Sequence, residues 1–257
     1  MKAMFYQVTR SVLPARVKRR IVNWAAQLDR EGFADIAHAE FMAPSMARGL
    51  RRLAERGLQP RHVVDVGAFH GDWSLMMARK IWPEAQITML EANREKSTIL
   101  ESVAERIGAR IAFEVLGPED GREVVFHVME SGSSVLPENS PLARREEVCH
   151  ARRLDTLLKA DQPDFIKLDV QGYELEVLRG APKILSHAQA VLLEVSLIET
   201  NHGAPLMVEV VGFMAEHGFD VCDILELHRR PLDRATNQVD LLFVPRNSPM
   251  LSDKRHF

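Results

Sequence analysis

The feature that most constrains this chain is a series of short, dominantly apolar runs set apart by stretches long enough to form helices. The runs occupy residues 62–66, 86–90, 109–113, 165–169 and 190–195. Their apolar character is continuous instead of alternating, which fits strands covered on both faces, as in a parallel sheet. Helix-like segments lie near 72–81, 93–107, 172–186 and 205–217. Strands alternating with helices predict right-handed βαβ units, hence an α/β fold with helices on both faces of a mostly parallel sheet. Residues 218–224 and 238–244 break the rhythm, since only a polar region rich in Arg, Pro and Asn separates them. They predict an antiparallel pair closing one sheet edge, which makes seven strands with the last antiparallel. Residues 122–129 alternate weakly and predict a short hairpin after the third strand. Residues 130–150, with Ser131, Ser133 and Ser134, read as a polar loop.

The first 58 residues have a different texture. Val17, Ile21, Trp24, Ala25 and Leu28 recur at helical spacing, Gly32 interrupts that face, and a second helix is expected from Pro44 to Glu55, stopped by Gly57. Residues 1–58 are therefore read as a helical extension and 59–257 as the catalytic domain. Residues 1–20 carry Lys2, Arg10, Arg16, Lys18, Arg19 and Arg20 and no acid. For the basic stretch Arg16–Arg30, packing on the catalytic domain or on a second subunit of a homodimer ranks first. A lid over the substrate comes next, and contact with an anionic membrane surface last, since such helices carry a larger apolar face.

Composition narrows the function classes. A formal net charge of −3 supplies no global field to recruit nucleic acid. Cys149 and Cys222 match neither a disulfide framework nor a zinc-ligand spacing and are read as buried thiols. No apolar run reaches the roughly 18 residues of a membrane span, and the start lacks a signal core. A cytoplasmic protein is expected.

Chemistry concentrates at three places. The first is Val63–Ser74, where an apolar strand containing Asp65 ends in Gly67-Ala68-Phe69-His70-Gly71 and runs into a helix through Trp73 and Ser74. Gly67 permits a turn that a side chain would obstruct, and Gly71 is expected to let a ligand approach the backbone. The three-glycine dinucleotide fingerprint is incomplete, which suits a ligand without phosphate; a plain strand-to-helix turn is the competing reading. The second place is Glu91-Ala92-Asn93 after the second strand, where a carboxylate can accept both ribose hydroxyls or simply favour a helix N-terminus. The third is Phe165–Ala181, where Lys167 interrupts an apolar strand and Asp169, followed by Val170, closes it at the expected switch point.

Val64–Trp73, Leu90–Asn93, Phe165–Ala181 and Leu193–Ser196, with Arg153–Leu157 before the fourth strand, resemble the FkbM family of methyltransferases over residues 60–245. The resemblance implies a Rossmann-like methyltransferase sheet, S-adenosylmethionine as donor, and O-methylation of a hydroxyl on a sugar, polyketide or related natural product. Donor contacts are then expected from Asp65, Gly67, Ala68, Phe69, Gly71, Trp73, Ser74, Glu91, Ala92, Asn93, Asp169 and Val170. Gly117 and Asp120 are expected to border the adenine, although turn chemistry also accounts for Asp120. Asp169, Glu194 and His202 are the candidates to take the acceptor's proton. Asp169 and Glu194 could also join a divalent metal, but no compact ligand spacing identifies one. Two rivals remain: a non-catalytic nucleoside-binding scaffold, and a nicotinamide oxidoreductase, which the missing glycine and the lack of a Tyr-x-x-x-Lys pair disfavour.

Overall fold

The computed structural model describes residues 43–253 and Arg255. The helical reading of residues 1–42, with the basic stretch Arg16–Arg30, lies outside the described residues. The remainder follows the order α1 (Met46–Glu55), β1 (His62–Val66), α2 (Asp72–Met76), β2 (Gln86–Glu91), α3 (Ser97–Ile107), β3 (Arg110–Phe113), β4 (Glu123–Val128), β5 (Arg145–His150), α4 (Leu154–Leu157), β6 (Phe165–Leu168), α5 (Glu174–Arg179), α6 (Pro182–His187), β7 (Ala190–Ser196), α7 (Met207–Glu216), β8 (Phe219–Arg229) and β9 (Thr236–Pro245).

Seven strands form one sheet in the order β3-β2-β1-β6-β7-β9-β8. The central β1 is buried at every residue and pairs in parallel with β2 on one side and β6 on the other. Neighbours fully covered in this way have no solvent-facing side to carry polar residues, which is why their sequences do not alternate. The last strand, β9, slots antiparallel between β7 and β8. Chain order runs outward from β1 to β3 and then resumes beside β1 at β6, so a crevice opens between the carboxyl ends of β1 and β6. This is a Rossmann-like, doubly wound α/β sheet.

Two apolar layers sandwich it. Val64, Ile166, Leu168 and Leu193 pack against α5, α6 and α7 through Leu178, Leu185 and Met214. On the opposite face Val63, Met89 and Phe165 pack against α1, the helical turn Met77–Ile81 that follows α2, and α3 through Leu53, Met77 and Leu100. Helix α1, which falls within the 1–58 extension as read from sequence, thus completely buries Leu50 and Leu53 in the domain core.

Three expectations change. The polar segment 130–150 is not all loop: Arg145–His150 forms β5 and pairs antiparallel with β4 as a separate ribbon. The helix expected over 172–186 breaks in two at Gly180-Ala181-Pro182. A Cβ on Gly180 would stand 2.2 Å from the Gly117 carbonyl oxygen, and Pro182 begins α6 because it has no N–H to donate. Asp155 then caps the new helix, accepting from the amides of Lys183 and Ile184 at 3.0 Å. The cysteines are half-buried free thiols, not fully buried ones.

Candidate functional site: a cleft at the β1–β6 crevice

The donor-side wall is made mainly of backbone. Gly67 sits at φ 75°, and a Cβ there would come within 1.9 Å of the Asp169 carbonyl oxygen. Only glycine lets the ends of β1 and β6 close on each other. Two residues on, Phe69 holds a left-handed φ of 50° without being glycine. Its amide donates to Glu91 Oε2 at 2.8 Å, while Glu91 Oε1 accepts from the Asn93 amide at 2.8 Å. The carboxylate thus ties the turn after β1 to the end of β2, and burial pushes its pKa up against those hydrogen bonds.

Gly67, Phe69, Glu91, Ala92, Asn93, Asp169 and Val170 all line one cleft. Leu90, Val115, Leu116 and Phe126 supply apolar wall, and residues 131–135 form its rim. Ser133 Oγ accepts from the Met129 amide, and Ser134 Oγ lies 3.0 Å from the carbonyls of both Val170 and Gln171, pinning the rim to the turn after β6.

Other expected donor contacts lie below or outside the cleft. Asp65 and Ser74 are completely buried and bonded to each other at 2.7 Å, bracing the turn from beneath. Ala68 is buried in the core, and Trp73 stacks on Phe165 with ring centroids 6.1 Å apart. Gly71 is bare for a different reason from the one anticipated. A Cβ there would meet Val103 of α3 at 2.9 Å, so it serves helix packing and not ligand approach. After Leu116 the chain turns away to bridge Arg152, which carries Gly117 and Asp120 off the cleft wall. Exposed Asp120 accepts instead from the Arg153 amide at 2.9 Å and the Thr156 hydroxyl at 2.7 Å.

Beside β6, β7 and β9 the crevice edge is a network of side chains. Lys167 is buried between Asp65 Oδ1 at 3.1 Å and Asp169 Oδ2 at 3.5 Å, and donates to the Gly67 carbonyl at 3.0 Å. Burial opposes its charge, yet the two aspartates outweigh that and hold the ammonium above the usual lysine range. Removing it would strand a buried carboxylate, a loss of about 3–5 kcal/mol. Gln171, itself at φ 55°, donates through Nε2 to both Asp169 Oδ1 and Glu194 Oε1 at 2.8 Å. Gln238 Nε2 donates to the same Glu194 oxygen at 2.6 Å. Burial, then Asp169, Asp240 and Glu174, raise the Glu194 carboxyl well above the ordinary range. His228 Nε2 donates to Asp240 Oδ2 at 2.7 Å and stands 3.7 Å from Glu194 Oε2. Below, Glu174 Oε1 accepts from the amides of Val170 at 3.0 Å and Gly172 at 3.1 Å, and burial pushes its pKa up to about 7.

Asp169 and Glu194 are therefore brought together, but His202 is not. Its side chain is 78% exposed and bonded to Glu199 on a surface loop. Gln238, Asp240 and His228 were missed. Asp240 did leave a signal, a charge inside the apolar run 238–244 of the same kind as Lys167 in its own strand. His228 left none, because β8 is an edge strand with mixed polarity. Among the described residues no group of three or more His, Cys, Asp or Glu side chains is placed to hold a metal ion, and no helix is long and apolar enough to cross a membrane.

A model of the methyltransferase FkbM domain matches residues 65–221, a span that runs from the buried aspartate of β1 into β8. No curated protein matches the chain in sequence. Among solved structures, the chain is similar to cofactor-bound Rv0187 from MTB, at 17% identity and TM-score 0.49 over 95% of each chain. It is also similar to a putative O-methyltransferase from Klebsiella pneumoniae, at 14% identity and TM-score 0.47 over 94% of each chain. A third is precorrin-6y C5,15-methyltransferase from Geobacter metallireducens GS-15, at 14% identity and TM-score 0.44 over 77% of this chain and 87% of that one.

Proposed function

The chain belongs to the FkbM methyltransferase family, and from that premise we propose that it moves a methyl group from S-adenosylmethionine to a hydroxyl oxygen of a small saccharide or related natural product. The observation that carries the donor assignment is the charge of the cleft. Its wall contains Glu91, Glu114 and Asp169 and, among the described residues, no lysine, arginine or histidine. Behind the wall Arg152 pairs with Glu114 and Lys167 with Asp169, so Glu91 is the wall carboxylate without an ion pair among the described residues; a wall that presents no cation offers a pyrophosphate nothing to pair with, which argues against the nicotinamide reading. The residues also fit the rest of the donor. Glu91 offers carboxylate oxygens to a ribose diol, and Leu90, Val115, Leu116 and Phe126 offer apolar surface to a purine.

When bound, S-adenosylmethionine supplies a methyl carbon activated by positive sulfur. The chain has to align an acceptor oxygen with that carbon and keep water away. The 131–135 rim covers the cleft, and Gln171 locks Asp169 and Glu194 into a single polar surface where the acceptor is proposed to lie.

Calorimetric titration with S-adenosylmethionine, S-adenosylhomocysteine and NADH tests the reading. Micromolar binding of both adenosyl ligands, none of NADH, and a loss of about 1–3 kcal/mol in Glu91→Ala are expected. Glu91→Gln, which keeps one acceptor oxygen for the Phe69 or Asn93 amide, should retain the fold and still bind more weakly. A folded protein that binds neither adenosyl ligand sinks the proposal.

A further inference from the structure

Beside β7, β8 and β9 one imidazole stands among carboxyl groups, and the buried lysine next to them already has its partners. Lys167 faces Asp65, Asp169 and the Gly67 carbonyl. His228, on β8, meets Asp240 of β9 at 2.7 Å and Glu194 of β7 at 3.7 Å, and it also faces the charges of Glu226 on its own strand and Asp169 after β6. Asp240 is 7% exposed, whereas the His228 side chain is 36% exposed. A carboxylate on Nε2 selects the tautomer that carries its proton there, leaving the lone pair on Nδ1. Asp240 thus holds Nε2, and the described hydrogen bonds of the ring include none to Nδ1.

The competing carboxylates are worse placed to take a proton. Asp169 spends one oxygen on Gln171 and turns the other toward Lys167. Glu194 spends one oxygen on two amide donors and turns the other toward His228. Resting on the methyltransferase reading, we propose that His228 is the base that takes the acceptor hydroxyl's proton and that Asp240 positions it. In the step, the hydroxyl proton passes to Nδ1 while the oxygen forms its bond to the methyl carbon. The carbon–sulfur bond gives its electron pair to sulfur, leaving a thioether. The imidazolium, compensated by Asp240, then releases its proton to water. The hydrogen bond that the ring donates to Asp240 in the first place, helped by the charges of Glu226 and Asp169 and opposed by burial, raises the ring above its ordinary 6.5.

The test uses full-length protein with ¹⁵N-labelled histidine, alongside His228→Gln and Asp240→Asn. Nitrogen-detected NMR should find the Nε2–H tautomer, titrating above 6.5 and moving down in Asp240→Asn. Turnover is followed as S-adenosylhomocysteine released on a panel of methyl glycosides. In His228→Gln it should fall 100-fold or more, the usual share of a general base, with S-adenosylhomocysteine binding unchanged within twofold. The acid limb of kcat/KM should track the ring titration and shift to lower pH in Asp240→Asn. An Nδ1–H tautomer, a titration indifferent to Asp240→Asn, or His228→Gln turnover within threefold of the parent overturns the assignment. If no glycoside is methylated, tautomer and titration decide it. Failure of the parent protein to bind S-adenosylhomocysteine removes the methyltransferase reading and this assignment with it, an outcome distinct from a loss confined to His228→Gln.

Discussion

The two halves of the sheet's carboxyl edge meet at Lys167 but are built from different material. Beside β1 and β2 the shape is set by main chain: Gly67 and Phe69 at positive φ, and loop amides gathered on Glu91. Beside β6, β7 and β9 it is set by side chains, with Gln171 and His228 each spanning two carboxyl groups and Gln238 bonded to one of them, Glu194. A backbone site has one solution and tolerates little change. A side-chain network can be rewired by substitution while the strands stay put.

The sharpest way to break this contrast is Gly67→Ala. The new Cβ would need to occupy space 1.9 Å from a main-chain oxygen, in a residue held at φ 75°. No side-chain rotation relieves that clash, so a loss of about 4 kcal/mol or more in denaturant unfolding is expected. A cost under about 1 kcal/mol would mean that the β1–β6 junction gives way, and the donor side would lose its claim to rigidity.

The second prediction sharpens the other half. Glu174 titrates near about 7 when folded against an ordinary 4.5. Below 4.5 both states hold the proton. As pH rises toward 7 the unfolded chain releases it first, so stability falls across that window and stays lower above it. The full decline amounts to about 3 kcal/mol. Glu174→Gln keeps an oxygen for the Val170 and Gly172 amides but has no proton to lose. Melting temperatures should therefore match the parent at pH 4 and exceed it at pH 8. Equal temperatures at both pH values would show that water reaches this carboxyl and that the network is less buried than its geometry indicates.

The same contrast governs what was legible in the sequence. A parallel strand buried on both faces writes itself as an apolar run, which made β1, β2, β6 and β7 legible, while shorter apolar runs marked β3 and the antiparallel β8 and β9. A glycine needed for close approach and a charge inside an apolar strand are also visible, which is why Gly67, Glu91, Lys167 and Asp169 stood out. The ribbon strand β5 was hidden, because its Arg145-Glu146-Glu147 start is exposed and its partner β4 is remote in sequence. Phe69 and Gln171 carry positive φ through tertiary hydrogen bonds, not through any preference of their own. His228 owes its place to β9 inserting between β7 and β8, a consequence of topology that no local pattern records.

The smallest expected effect probes the seam between the halves. Ser134 belongs to the rim of the donor cleft, yet its hydroxyl reaches the Val170 and Gln171 carbonyls, one residue away from Asp169. The same oxygen accepts from the Leu136 amide at 3.1 Å, so the hydroxyl both closes the rim and anchors it to the turn after β6. Ser134→Ala removes that tie and leaves the half-buried Leu136 amide without its acceptor, a cost of about 1 kcal/mol. If the donor side is held by backbone and the rim only covers it, the loss should appear as S-adenosylhomocysteine binding weakened about fivefold, mainly through faster dissociation. The Gly67 turn and the Glu91 hydrogen bonds lie on other segments and should be unaffected, so the association rate should stay within twofold. A comparable fall in association rate would instead mean that the rim shapes the cleft before the ligand arrives, and the two halves would have to be treated as one preorganised unit.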